Sequence, residues 1–370
     1  MRNALVAQFA EVRPQRALAV WPGHPDAELW SGLTEIAAAT RAGQPVGQTT
    51  LASLLDAARK APLAAEPFLV RGIQARLAGN ETLAGEAFRA AELRDGRSVP
   101  ARYFLADHDL RTGDAAHGLR EISVLARMIP NGIAALAPFV AGYSSDPRNW
   151  PQIRALFRAD PQLADAALSS LAADPRNSDL VLQLAPPGHR PAALWSGRLI
   201  NALVTAGDYG KAYQVWQSVS GADRPAGALI YDRGFSASKA PEPFNWTLTS
   251  SALGLAERQG GGRLHVVYYG QDDGVLAKQL LLLKPGRYRL RMQGSGNLGD
   301  ATPLSWMVTC ADSATQLLKL PVGPTMDAAF VVPGGCTGQW LQLAGSAPEL
   351  PRTVDVTISG LTLSQDRVGD

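Results

Sequence analysis

The spacing of apolar positions along this chain changes character at about residue 226. Before that point apolar residues recur every three or four positions, which is the period of an α-helix packed on one face. After it they alternate with polar residues, which is the period of a β-strand buried on one side. The pattern predicts a multidomain α + β protein, with an all-α helical repeat domain at 1–225 and an antiparallel β-sandwich at 226–370.

Three segments of the helical part superpose on a glycine followed by an acidic or amide residue. In each, the fifth residue after the glycine is small and the ninth is bulky and apolar, which suits a turn between two closely packed helices. Gly79 and Gly113 are 34 residues apart, the period of the tetratricopeptide repeat. The segments are RLAGNETLAGEAF, LRTGDAAHGLREI and LVTAGDYGKAYQVW. They resemble tetratricopeptide repeats, and the resemblance implies a helical solenoid whose groove engages a partner protein.

Asp-Pro pairs recur every 14 residues between the second and third of these segments, beginning at Asp146, Asp160 and Asp174. Asp is a favoured helix cap and Pro is favoured at the first helical position. The spacing therefore predicts a run of short helices that continues the solenoid.

The second part contains eleven segments bounded by turn residues, of which about ten are expected to be strands. Ten short strands in such a length are typical of a jelly-roll sandwich. The segments are 228–234, 244–249, 251–258, 263–269, 275–283, 286–293, 303–310, 315–320, 327–333, 338–343 and 352–363.

Three motifs in this part resemble strands of galactose-binding-like jelly rolls, which include many carbohydrate-binding modules. They are YDRGFSASKAPEPFNWTLTS at 231–250, LLLLKPGRYRLRMQ at 280–293 and VTISGLTLSQ at 356–365. Gly234, Phe235 and Trp246 stand at the positions of the family's first strand and core tryptophan. The resemblance implies a jelly roll that binds carbohydrate.

The motifs also depart from that family at the positions of its common calcium-binding acids. The chain has Ser236 near the first strand, and Ser359 and Gly360 in the last. We therefore expect no metal site.

Sugar recognition needs an aromatic face for the ring and polar groups for the hydroxyls. Trp340 in TGQWLQLAG shares a strand face with Gln342, while Trp246 and Trp306 fall on core positions. Three arginines on one strand face suit acidic sugars, or else form a solvated row paired with acids such as Asp355. The predicted ligand-binding residues are Trp340, Gln342, Arg287, Arg289, Arg291 and Tyr269.

Both cysteines, Cys310 and Cys336, lie in the strand-rich part. Two neighbouring strands with their connections can bring them within bridging distance, and such a loop would stabilise by roughly 3 to 4 kcal/mol. A disulfide favours an envelope or extracellular setting, whereas two unpaired buried thiols are the alternative.

The sequence contains no motif for a reaction or a cofactor. GSGNLG at 294–299 matches a dinucleotide-binding pattern but is followed by another strand instead of a helix, so it is expected to be a loop. Five scattered histidines show no metal spacing. Net charge is +2 with basic and acidic residues intermixed, which argues against nucleic acid as the main partner.

No apolar stretch is long enough to cross a bilayer, and MRNALVAQFAEV lacks the features of a signal peptide. A chain from which an N-terminal anchor or signal had been removed would have the same sequence. The N-terminal residues therefore do not determine the cellular compartment. The expected location is periplasmic or envelope-associated, with the cytoplasm as the alternative.

These patterns and resemblances predict a non-enzymatic binding and scaffold protein without a cofactor. Its helical repeats engage a partner protein and its jelly roll binds carbohydrate, in assembly or export of a bacterial envelope polysaccharide. Two alternatives stay open. One is a structural adaptor whose sandwich contacts protein, and the other is an enzyme acting on polysaccharide through a carboxylate pair that the sequence does not reveal.

Overall fold

The computed structural model of the chain describes residues 6, 9–10, 12–41, 47–60, 63–186, 193–221, 228–236, 240–298 and 302–366. The chain divides into two compact units, 1–164 and 165–370. The last helices therefore belong to the same unit as the strands. The predicted boundary near 226 lies outside the described residues.

Thirteen α-helices are found among these residues, and two single turns of 3₁₀-helix at Pro147–Asn149 and Pro175–Asn177 interrupt the series. The helices are α1 (Pro14–Val20), α2 (Pro25–Arg41), α3 (Gln48–Lys60), α4 (Glu66–Leu77), α5 (Glu81–Arg94), α6 (Val99–Thr112), α7 (Ala115–Met128), α8 (Gly132–Tyr143), α9 (Trp150–Ala159), α10 (Pro161–Leu171), α11 (Ser178–Leu184), α12 (Leu194–Thr205) and α13 (Tyr209–Ser220).

Three of the helix pairs are hairpins, and their turns share the same backbone conformation and the same type of helix cap. Gly79, Gly113 and Gly207 adopt positive φ angles of 75°, 98° and 78°, a conformation that favours glycine. The residue after each glycine caps the following helix, its side-chain oxygen 3.1 Å from the backbone nitrogen three positions on. The capping pairs are Asn80 with Leu83, Asp114 with His117, and Asp208 with Lys211.

Small residues in the second helix of each hairpin permit close packing. Ala84 and Ala212 are fully buried, and a Cβ added at Gly118 would lie 2.7 Å from Leu110 Cγ. The predicted bulky positions are buried as well: Phe88, Ile122 and Trp216. The helical part is thus a series of repeated hairpins, as the sequence predicts.

The three Asp-Pro pairs cap helical segments, which confirms the predicted helix starts. Asp146 and Asp174 accept hydrogen bonds from backbone nitrogens at 3.0 Å and start the two 3₁₀ turns. Asp160 caps α10 directly through the backbone nitrogen of Leu163.

Eleven strands follow in the described residues: β1 (Thr247–Leu248), β2 (Ser250–Ser251), β3 (Gly254–Gln259), β4 (Arg263–Tyr268), β5 (Gly274–Leu281), β6 (Gly286–Gly296), β7 (Leu304–Cys310), β8 (Gln316–Pro321), β9 (Thr325–Val332), β10 (Gln339–Gly345) and β11 (Val354–Gln365). Ten of the predicted segments contain strand. The eleventh, 228–234, forms turns in which Asp232 has a φ angle of 48°, which agrees with the expectation of about ten strands among the eleven segments. Strand β6 extends to Gly296, so the start of GSGNLG is strand instead of loop.

The strands form two antiparallel sheets. Sheet A has the order β1-β5-β10-β7-β8 and sheet B has the order β2-β3-β4-β11-β6-β9. Strands β8 and β9 are therefore edge strands, one in each sheet. Inward side chains from both sheets share one core, so the strands form the predicted antiparallel sandwich.

Three aromatic residues pack together within this core. Trp246 is buried, with its ring centroid 5.1 Å from that of Phe235 and 5.9 Å from that of Trp306. The core positions predicted for both tryptophans are confirmed. The identity of the sandwich as a galactose-binding-like jelly roll stays a prediction.

Helix α13 packs on the sandwich through a second aromatic cluster. The buried Trp216 ring lies 5.8 Å from Phe244 and 5.0 Å from Tyr231, and its indole nitrogen donates to Pro241 O at 2.6 Å. Gly338, at the start of β10, has no room for a Cβ because the Tyr209 ring would lie 2.8 Å away. The last helix is therefore part of the sandwich unit.

Cys310 and Cys336 form a disulfide, with their Cα atoms 5.5 Å apart. The bond joins the end of β7 to the loop before β10. The predicted bridge is confirmed.

Candidate functional site

The outward side of sheet A carries an aromatic residue among polar ones, as the sequence predicts for Trp340 and Gln342. On β10 these two residues alternate with Leu341 and Leu343, which are buried in the core. Register partners share a sheet face, so neighbouring strands add further side chains to this surface. We name it the platform face, formed by Lys278, Met307, Thr309, Lys319, Trp340 and Gln342.

Trp340 is half-buried, and Lys278 accounts for part of its cover. Lys278 Nζ lies 5.1 Å from the centroid of the indole ring, within the range of a cation–π interaction. The register partner of Trp340 on β5, Leu280, is fully buried. A ligand on the platform face therefore meets the tryptophan together with an ammonium group.

A line of side chains crosses the platform face from β5 to β8. Gln342 lies opposite Lys278 on one side and Met307 on the other, and Met307 lies opposite the exposed Lys319. Three strand spacings separate the two lysine backbones, which is about 14 Å. In the described part of the chain neither lysine forms an ion pair with a carboxylate. The line thus carries positive charge at both ends.

The predicted arginine row lies on the outward side of sheet B and is paired with acids. Arg289 Nη1 and Arg291 Nε lie 3.0 and 3.1 Å from the two oxygens of Asp327. Arg287 Nε lies 3.4 Å from Asp366. These acids compensate most of the charge of the row, and Asp355, the partner expected from sequence, is engaged elsewhere.

Tyr269 follows β4 in sheet B and is 41% exposed. Together with the arginines it lies across the sandwich from Trp340 and Gln342. The structure therefore does not bring the predicted ligand-binding residues together: it separates them onto the outward sides of two sheets.

His265 lies between two carboxylates on sheet B. Its Nδ1 is 3.1 Å from Glu257 and its Nε2 is 3.0 Å from Asp355. The hydrogen bond to Glu257, followed by that to Asp355, raises the pKa of His265 above its ordinary value against the opposing effect of burial. The three residues form a hydrogen-bonded cluster in which one imidazole lies between two carboxylates.

Sequence reasoning missed Lys278 and Lys319. Both sit at polar positions inside apolar strands, in GVLAKQLL and QLLKLP, so the alternation carries the signal. Only the strand order shows that they share a surface with Trp340.

Within the described residues, no three His, Cys, Asp or Glu side chains are arranged to hold a metal ion. Among the same residues, no helix combines the length and apolarity needed to span a bilayer.

Comparison with known proteins leaves the family of this chain undetermined, since no family model and no curated protein matches it. A structure of accessory secretory protein 1, 2 and 3 in Streptococcus pneumoniae is similar at 13% identity, over 32% of this chain and 90% of that one, with a TM-score of 0.25. The APC/C hetero-tetramer Cut9–Hcn1 is similar at 14% identity, over 59% of this chain and 37% of that one, with a TM-score of 0.28. At these TM-scores neither similarity supports a fold or a function for this chain. The fold and the function proposed for it therefore rest on the geometry of the chain itself.

Proposed function

We propose that this protein is a non-enzymatic binding and scaffold protein of the bacterial cell envelope. Its sandwich binds an acidic polysaccharide on the platform face, and its helical hairpins engage a partner protein. The observation that carries the proposal is the placement of Trp340 and Gln342 beside two lysines without ion-pair partners in the described structure.

Each group on the platform face suits one part of an acidic sugar chain. An indole ring packs against the C–H surface of a sugar ring, and an amide such as that of Gln342 exchanges hydrogen bonds with hydroxyls. Lys278 and Lys319 supply positive charge for carboxylates, at a spacing that suits groups on different sugar units. The surface of a β-sheet suits a polymer, whereas small-molecule sites are usually concave clefts.

The disulfide supports the proposed compartment. Bonds of this kind form and persist in the periplasm and outside the cell, where the chain would meet envelope polysaccharides.

Calorimetric titration of the full chain with polygalacturonate and with uncharged dextran tests the carbohydrate proposal. We expect binding of the polyuronate only, weakened about tenfold by Trp340→Ala and about fivefold by Lys319→Gln. Because the lysine is exposed, its replacement should leave the fold unchanged.

Arg289→Gln is the matched control, since it removes one positive charge from the other sheet. Equal loss of affinity in this variant and in Lys319→Gln would place the glycan elsewhere. Tight binding of dextran that Trp340→Ala leaves unchanged would remove the platform face from the proposal.

A further inference from the structure

A groove of about 620 Å³ lies in the first compact unit, between α7 and α9. Helix α7 is the second helix of the hairpin that turns at Gly113, and both α8 and α9 pack against it. The α7 side is lined by residues spaced three or four apart from Ala116 to Arg127, and the α9 side by residues from Pro151 to Ala159. The groove therefore runs along two helix faces that no described helix covers.

The floor of the groove is apolar apart from Ser123, and on the α9 side Gln152 Oε1 is buried without a hydrogen-bond partner among the described residues. Leu119 and Leu156 are buried beneath it. Ser123 Oγ, also on the floor, donates to Asp160 Oδ2 at 2.7 Å. The space exists because the walls carry small side chains at Ala116, Ala155 and Ala159.

The rim of the groove is basic. Arg120 and Arg127 line it from α7, and both are exposed, although Arg127 also contacts Asp160 at 3.2 Å. Arg154 and Arg158 are exposed on α9, beside the lining positions. No carboxylate is found among the lining residues in the described structure. An apolar floor between basic rims is complementary to an amphipathic segment with acidic flanks.

The dimensions suit a helix of about three turns. Ten residues of α9 extend about 15 Å along the axis, at 1.5 Å per residue. A partner helix of that length presents two or three apolar side chains on one face at positions i, i+3 or i+4, and i+7.

We infer that the α7–α9 groove receives an acidic amphipathic helix of a partner protein. The inference rests on the proposed scaffold function and assigns the partner site within it. Apolar side chains of that helix fill the space over Leu119 and Leu156, and its flanking carboxylates pair with Arg120 and Arg127.

Selection from a displayed library of randomised helical peptides, with the full chain as bait, tests the inference. We expect the enriched peptides to carry more acidic than basic residues around an apolar face. Their affinity should fall at least about tenfold with Ala155→Trp, which fills the groove, and with Arg120→Glu, which reverses a rim charge.

Ala134→Trp and Arg71→Glu are matched controls on exposed helical positions outside the groove, and they should leave affinity unchanged. Circular dichroism melting of each variant separates loss of binding from loss of fold. Enriched peptides that are basic or uncharged, peptides insensitive to Ala155→Trp, or no enrichment would each overturn the inference. So would a dimer of this chain in sedimentation that Ala155→Trp dissociates, because the groove would then hold a second copy.

The same peptides measured against the Trp340→Ala chain keep the two proposals apart. Unchanged peptide binding with lost polyuronate binding supports both sites as independent. Peptide binding without any polyuronate binding by the unmodified chain removes the carbohydrate proposal and leaves the groove.

Discussion

At the residue scale, the partners of each charged side chain decide which polar surface is open to a ligand. The sequence presents three arginines on β6 as the strongest positive row, yet Asp327 and Asp366 lie within ion-pair distance of them. Lys278 and Lys319 are less conspicuous in the sequence and have no carboxylate partner in the described structure. Long-range pairing depends on which strands are neighbours, and a single sequence does not show that.

His265 makes a pH-dependent contribution to stability. Its pKa is raised in the folded state, so the contribution is fully present below the ordinary pKa of about 6.5 and is lost as pH rises through the raised value. Because both carboxylates are half exposed, we expect about 0.2–1 kcal/mol. Urea unfolding at several pH values between about 5.5 and about 8.5 would measure this contribution.

The matched variant is His265→Gln, which keeps a polar side chain but does not titrate. The difference in unfolding free energy between the two proteins should shrink as pH rises. A difference that is constant with pH would contradict the assignment.

At the scale of elements, the same Asp-Pro signal makes different contacts, and so contributes differently to stability, depending on its surroundings. Asp146 and Asp174 begin the same DPRN sequence and cap exposed 3₁₀ turns. Asp160 begins DPQL, is buried, and also accepts hydrogen bonds from Ser123 and Arg127. It joins α7 to the first turn of α10, whereas Asp146 and Asp174 accept hydrogen bonds from the residue two positions on.

We therefore expect Asp160→Ala to cost about 3 kcal/mol, because it leaves a buried hydroxyl and a backbone nitrogen unsatisfied. Asp146→Ala should cost about 1 kcal/mol, the usual loss for a helix cap. Urea unfolding followed by circular dichroism gives both values. Equal losses would show that the contacts of Asp160 beyond the cap add no stability.

Most helices and strands could be predicted from the sequence. The turns at 228–234 could not, and the reason is local. Helical stripes, capped glycine turns and alternating strands such as β4 and β6 depend on nearby residues. The segment 228–234 reads as a strand by composition, but Asp232 and Phe235 have positive φ angles, and the Asp232 carboxylate accepts from Ser236 N at 2.7 Å. Those turns place Phe235 against Trp246. Strand propensity is a property of the local sequence and does not predict this contact.

At the scale of the molecule, the change from helices to strands and the division into compact units fall at different places. Helix α13 follows a repeat-type turn, yet Trp216 packs against Phe244 and Tyr231 of the sandwich unit. Periodicity reports secondary structure only. For the same reason it did not show that Trp340 and the arginines belong to different sheets.

Trp216→Ala should destabilise the whole sandwich unit by about 3–5 kcal/mol, because it leaves a large cavity in the aromatic cluster through which α13 packs on the sandwich. Hydrogen exchange of the β5 and β10 amides is expected to accelerate together with that of α13. Tyr103→Ala, at an exposed aromatic of α6, is the control and should change stability by less than about 0.5 kcal/mol. Faster exchange confined to α12 and α13 would mean that the helices unfold separately from the strands.

The disulfide has a consequence for solubility. The 26-residue separation between Cys310 and Cys336 encloses β8 and β9, each of which forms one edge of its sheet. Edge strands present unpaired backbone groups and are where a sandwich begins to open or to recruit a second chain. By closing this segment at its base, the bond limits how far both edges can peel away. A reducing environment would therefore promote aggregation through these strands before it unfolds the core.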